Sequence, residues 1–148
     1  MPTTINSTIS RFNCLSEDIG KKKHDFSADT FKLALVTSAQ TLTASGQSVY
    51  SDITAELANG NGYTTGGLTL TASFSRTDSV STFDFSDAVL TATGAITARQ
   101  YVIYNNTHAS KPLVCFGSIN SADIDVELVS GEVLTIIPNV SGLFFIGY

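Results

Sequence analysis

The stretch Asn59-Gly60-Asn61-Gly62-Tyr63-Thr64-Thr65-Gly66-Gly67, running into Leu68-Thr69-Leu70-Thr71, decides how this chain is read. Four of its first nine residues are glycine. Glycine takes positive φ without steric penalty, and asparagine enters the left-handed region more readily than most residues, so the segment can reverse direction tightly. The alternation of Leu and Thr that follows has the period of a strand with one face inward. The stretch holds no His, Cys, Asp, Glu, Lys or Arg. It punctuates the entry to a β-strand and carries no reactive group, so a structural or binding protein is the first expectation.

The same alternation recurs on both sides of that turn. Upstream, residues 31–37 place Phe31, Leu33 and Leu35 on one face. Downstream, strands are predicted over 68–74, 82–85, 87–91, 96–105, 111–119, 124–129, 133–137 and 142–148, making nine candidates in all. Most connections are short and carry Gly, Asn, Ser or Asp. Short strands at this spacing predict a mainly β chain, an antiparallel β-sandwich or jelly-roll-like barrel. Leu33, Leu35, Leu70, Val102, Tyr104, Val114, Phe116 and Phe145 sit at inward positions of these alternations and are the predicted core.

Helix is expected in one place. Phe12, Leu15 and Ile19 recur at i, i+3 and i+7, Gly20 can end the run, and Lys21, Lys22 and Lys23 follow where a helix dipole favours cations. This predicts a short N-terminal helix within 12–20. Its apolar stripe either caps the protein's own β core or docks on a partner. The residues before it are polar, so 1–11 is expected to be a flexible arm and 12–148 a single β-rich domain. Residues 38–48 read as a loop. Over 49–57 the pattern is ambiguous: Ser51 or Asp52 can cap a short helix or turn near 52–58 carrying Ile53, Glu56 and Leu57.

A chain of 148 residues can bury a substantial core in one domain. Charged residues make up only 14% against 43% hydrophobic, with Thr, Ser and Asn interleaved among the apolar positions. That composition suits strands with a wet face. The net charge of -5 gives no general attraction to nucleic acid, whose binding rests on Lys and Arg at phosphates. The run Lys21-Lys22-Lys23-His24 lies between Glu17-Asp18 and Asp25, and it reads as a solvated face or as a patch for an acidic partner. No apolar run is long enough to span a membrane, and the N-terminus lacks the basic-then-apolar order of a secretory signal. Synthesis and folding in a cytoplasm are expected.

Groups fit for chemistry are few. Two cysteines, Cys14 and Cys115, lie far apart, and Cys115 sits in an apolar run where a buried free thiol is ordinary. A single disulfide remains open, but no disulfide framework or metal spacing is present. His24 and His108 are the two histidines, and both read as solvated loop residues without a nucleophile or ligand cluster beside them. Asp125 and Glu127 alternate with Ile124, Val126 and Leu128, the pattern of a strand with a wet face. Cation-loop, phosphate-loop and dinucleotide spacings are absent. No enzyme activity and no cofactor are expected. Arg99 is the most unusual charge, because Ile96-Thr97-Ala98 and Tyr101-Val102-Ile103 flank it. Such an Arg favours a carboxylate partner, within the fold or across a subunit contact.

Three motifs, taken in order, carry a resemblance. They are Asp29-Thr30-Phe31-Lys32-Leu33-Ala34-Leu35, then Gly62-Tyr63-Thr64-Thr65-Gly66-Gly67-Leu68-Thr69-Leu70, then Ile96-Thr97-Ala98-Arg99 leading to Ile103-Tyr104-Asn105. Over residues 12–120 the chain resembles a family of small virion structural proteins of tailed bacteriophages, similar to capsid decoration (cement) proteins. The resemblance implies a non-enzymatic homo-oligomer, a trimer favoured, on the outer capsid surface of the virion. Its partner there is the major capsid protein, with no nucleic acid or membrane bound. Phe12, Leu15, Ile19, Lys21, Lys22, Lys23 and Arg99 are then the candidate capsid or subunit contacts. A tail or head–tail connector component shares this composition, and a glycan- or receptor-binding module on a virion surface is the reading from another class.

Overall fold

The computed structural model describes residues 3–6, 9–137 and 144–146, with side chains described for 9–137. In chain order the described elements are β1 (Thr3–Asn6), β2 (Ile9–Arg11), α1 (Cys14–Gly20), β3 (Phe31–Val36), a 3-10 turn (Tyr50–Asp52), β4 (Leu68–Leu70), β5 (Ala72–Thr77) and β6 (Val80–Phe85). After them come β7 (Ala88–Thr91), β8 (Ile96–Ala98), β9 (Gln100–Asn105), β10 (Leu113–Ser118), β11 (Val126–Leu128), β12 (Val133–Ile137) and β13 (Phe144–Ile146). Among these pairs only β1 with β12 is parallel; the rest are antiparallel. The fold is mainly β and sandwich-like with one short N-terminal helix, as the alternation predicts.

A five-stranded sheet in the order β2-β10-β9-β3-β4 is the centre of the molecule. A three-stranded sheet β1-β12-β7, a second β13-β6-β5, and the pair β11-β8 complete it. The main core joins Phe31, Leu33, Leu35, Tyr101 and Ile103 of the central sheet to Ala88, Leu90, Leu134 and Ile136 of β7 and β12, and to Phe83 and Phe85 of β6. A second cluster lies on the opposite face of β3 and β9, where Ala34, Val36, Val102 and Tyr104 meet Leu113, Phe12, Leu42 and Ile53. The middle strands are therefore buried on both faces, which is why β9 reads as an almost unbroken apolar run. In β10, neighbouring Val114 and Cys115 face the same core although alternation would separate them. A register shift between Leu113 and Cys115 puts them there.

The glycine-rich turn seats on β3 by close backbone approach. Gly67 has φ +87, and a Cβ there would stand 2.0 Å from the Leu33 carbonyl oxygen. At Gly62, φ +94, the Thr91 carbonyl would be 2.3 Å away. Only glycine meets both demands at these two positions.

Several expectations need correction. Residues 3–6 and 9–11 are strands and not an arm: β1 pairs with β12 and β2 with β10. Backbone pairing needs no apolar side chains, so a polar segment can join a sheet edge. Near 52–58 the helical turn is only Tyr50–Asp52, where the Asp52 carboxylate accepts from the N–H groups of Ser48 and Val49. Beyond it the chain is extended beside β3, with Thr37 N–H donating to Ala55 and Leu57 N–H to Leu35. The strand expected over 96–105 is two: β8 pairs with β11 and β9 with β3 and β10. The change of partners falls at Arg99, whose N–H donates to Val36 and whose carbonyl accepts from Ile119. Of the predicted core, Leu33, Leu35, Leu70, Val102, Tyr104 and Val114 are buried, while Phe116 is only half-buried, at the rim of the second cluster. The Phe145 side chain lies outside the described residues.

Candidate functional site

Apart from Gln100, whose Oε1 accepts from Leu42 N–H, the main polar networks of the fold gather in two places. The first is the connection between α1 and β3. Leu15, Asp18 and Ile19 share one helix face by their i, i+3, i+4 spacing, so Asp18 is carried inward with the apolar pair and is buried. Lys23 reaches back to it, Nζ to Oδ1 at 2.7 Å, and this contact raises the lysine's pKa. Lys22, at φ 58, turns the chain to make that return possible.

His24 follows, and it is not the solvated loop residue expected. Its ring stacks on Phe26 at 5.3 Å and Phe31 at 6.2 Å between centroids. Nδ1 lies 3.3 Å from Asn105 Nδ2, and Nε2 is buried with no hydrogen-bond partner among the described residues. Burial lowers the His24 pKa; Asp18 and Asp29 pull it upward, with smaller effect. Asn105, fully buried at the end of β9, also donates through Nδ2 to Asp29 Oδ2 at 2.6 Å and to the Lys23 carbonyl at 3.0 Å. Beside this network opens a shallow cleft of about 410 Å³ lined by Ile19, Lys22, His24, Asp25, Phe26, Ser27 and Phe74.

The second place is Glu56. One carboxylate oxygen accepts from the Tyr63 hydroxyl at 2.7 Å and from Gly66 N–H at 2.7 Å; the other accepts from the Tyr50 hydroxyl. Tyr63 oxygen in turn accepts from Leu35 N–H at 3.1 Å, and the Tyr104 hydroxyl donates to the Gly66 carbonyl at 2.6 Å. Burial raises the pKa of all three tyrosines, Tyr104 to about 12. These hydroxyls stay protonated and act as hydrogen-bond donors. Glu56 thus fastens the glycine-rich turn to β3 and to the segment after the 3-10 turn. Its function is to hold backbone.

The seven contact candidates fare differently. Phe12 and Leu15 are buried, Phe12 against Phe116 at 4.7 Å between centroids, and Ile19 packs half-buried on the main core. That stripe caps the protein's own core, and Phe12 and Leu15 are not available as a docking surface. Lys21 pairs with Glu17 one turn back and is exposed, as is Lys22. Arg99 Nε lies 2.9 Å from Asp125 Oδ1, a surface pair within the chain.

The two thiols are free: Cys115 is buried, and Cys14 is partly so. Burial and the neighbouring Asp18 push the Cys14 thiol up to about 11, and burial raises Cys115 as well. His108 sits in the β9–β10 loop and shares its Nδ1 with Ser110. Among the described residues no group of three or more His, Cys, Asp or Glu is placed to hold a metal ion, and no helix is long and apolar enough to cross a membrane. The roles of the buried Asp18 and Asn105 and of the half-buried His24 and Glu56 escape the sequence pattern. Only Asp18 had a signal there, its helical spacing from Leu15.

Comparison of the chain with protein-family models, with curated proteins and with solved structures finds no match.

Proposed function

We propose that the chain is a structural protein of a tailed-bacteriophage virion, a decoration protein that binds the outer capsid surface and bridges major capsid subunits. One observation carries the reading: the three motifs behind the resemblance form a single packed unit. β3, from the first, pairs with β4 from the second and β9 from the third. Asp29, opening the first motif, is bonded to Asn105, closing the third, and Tyr63 of the second accepts from Leu35 of the first. Parts of all three motifs thus lie in the central sheet, with Ile96–Ala98 beside it in β8, and this shared placement supports reading them together.

In this reading the protein works without catalysis, as a homo-oligomer with the trimer favoured, on the capsid surface after synthesis in the host cytoplasm. Lys21 and Lys22 are the exposed members of the contact set and suit an acidic patch on the major capsid protein. The test is direct. Heads assembled from the major capsid protein alone are mixed with the purified chain, sedimented, and heated. Saturable co-sedimentation with a raised disruption temperature is the expected outcome. Heads that neither bind the chain nor gain resistance overturn the proposal.

A further inference from the structure

His24 carries an inference that does not depend on the proposed function. Asn105 Oδ1 accepts from two backbone donors, Thr107 N–H at 2.8 Å and His108 N–H at 3.3 Å. Those donors fix which end of the amide is oxygen, so its NH2 group faces His24. An NH2 group only donates, and its two hydrogens also serve Asp29 and the Lys23 carbonyl, so Nδ1 is the unprotonated nitrogen and shares one of those hydrogens. The proton of the neutral ring then sits on Nε2, which is buried. A second proton can enter only at Nδ1, where it would point at the Asn105 hydrogens.

We propose that His24 is an acid-sensitive latch: its neutral ring holds the connection 21–30 against Asn105 and the Phe26–Phe31 stack, and protonation at Nδ1 releases that connection. The groups facing the ring are Asp18 from α1, Lys23 and Asp29 from the connection itself, and His108 from the β9–β10 loop. The two carboxylates favour the cation, Lys23 and His108 oppose it, and burial opposes it most. The geometry gives burial its force, because the charged ring would lose its one accepting contact and gain none. Release would uncover Phe26, which stacks on Phe31 and lies 4.2 Å from Phe83 between centroids, and would widen the cleft beside it.

The sign follows from linkage. The released state takes the proton at the ordinary histidine value near 6.5, and the latched state takes it only at lower pH. Stability of the latch is complete above that range and is lost as pH falls through it. With the latched state unprotonated, the released fraction grows by about tenfold between pH 7.5 and 5.5. Carboxylates ordinarily titrate near 4, and those of Glu17 and Asp25 are held lower still by Lys21 and Ser27, so the window belongs to histidine.

The experiment is amide exchange at pH 7.5 and 5.5, with each rate taken relative to an unstructured chain at the same pH. The amides to follow are Lys23, Asp25 and Asn106, bonded to Asp18, Asp29 and Thr30. Protection in the native chain is expected to fall by about tenfold across the window. In His24→Phe, which keeps a ring in the stack and leaves the Asn105 amide its two other acceptors, it should stay level. Equal losses in both proteins, or none in the native chain, overturn the latch. An NMR titration of the native chain supplies the second reading. A His24 midpoint below 6.5 that moves with the Asn105 side-chain amide supports the proposal, and a midpoint at or above 6.5 overturns it.

Discussion

The Tyr63 hydroxyl donates to Glu56 at 2.7 Å while its oxygen accepts from the Leu35 N–H at 3.1 Å. A single phenol thus ties the glycine-rich turn to the buried backbone of β3. Tyr63→Phe leaves that buried N–H without its partner, which costs about 1–3 kcal/mol, while the Glu56 oxygen keeps the Gly66 N–H. Denaturant unfolding should show a lower midpoint with an unchanged slope. Glu56→Ala should cost more than Tyr63→Phe, because it also releases Gly66 and Tyr50.

The glycines separate by what surrounds them. Gly67→Ala sets a Cβ 2.0 Å from the Leu33 carbonyl at a positive φ, whereas Gly20→Ala meets nothing within 4 Å and needs no unusual φ. The first should destabilise by several kcal/mol, at the upper end of single substitutions, and the second by no more than about 0.5 kcal/mol in either direction. Thermal unfolding of the two variants checks this.

The helix stripe gives a further contrast. Leu15 is buried in the main core, so Leu15→Ala should cost about 2–5 kcal/mol of stability. Lys21→Glu touches an exposed, solvent-screened pair with Glu17 and should leave stability almost unchanged. Arg99→Gln, which removes the surface pair with Asp125, belongs to the same small class. In the head-binding assay the order should invert, with Lys21→Glu weakening attachment of a fully folded protein.

Both thiols should be slow toward alkylating or disulfide reagents. Cys14, pushed up to about 11, is almost wholly protonated at pH 8, and Cys115 is buried. A colorimetric thiol assay should find no fast-reacting group in the native protein and two once it is unfolded in denaturant.

Much of this architecture is legible in short-range pattern. Alternation at Leu33 and Leu35, or at Leu68 and Leu70, locates strands because a sheet has a fixed period of two. The same rule fails where a strand is buried on both faces: the Ala34 and Val36 face of β3 is covered by Phe12, Leu42 and Ile53, residues that no local pattern ties to it. The polar network is harder still. Asn105 meets Asp29 across 76 positions and Tyr104 meets Gly66 across 38, and those meetings exist only once the sheet order is known. His24 looked solvated for that reason. Its neighbours in sequence are lysines and Asp25, while its neighbours in space are Phe31 and Asn105. The N-terminal strands escaped because pairing through backbone leaves no mark on side-chain composition.

The proposed role is tested most directly by counting. If the proposal holds, the chain is encoded by a phage, and quantitative mass spectrometry of that phage's purified particles gives its copy number relative to the major capsid protein. A number of the same order as the capsid subunits is expected. A chain missing from the particles, or present at the far lower number of a connector or fibre, would contradict it.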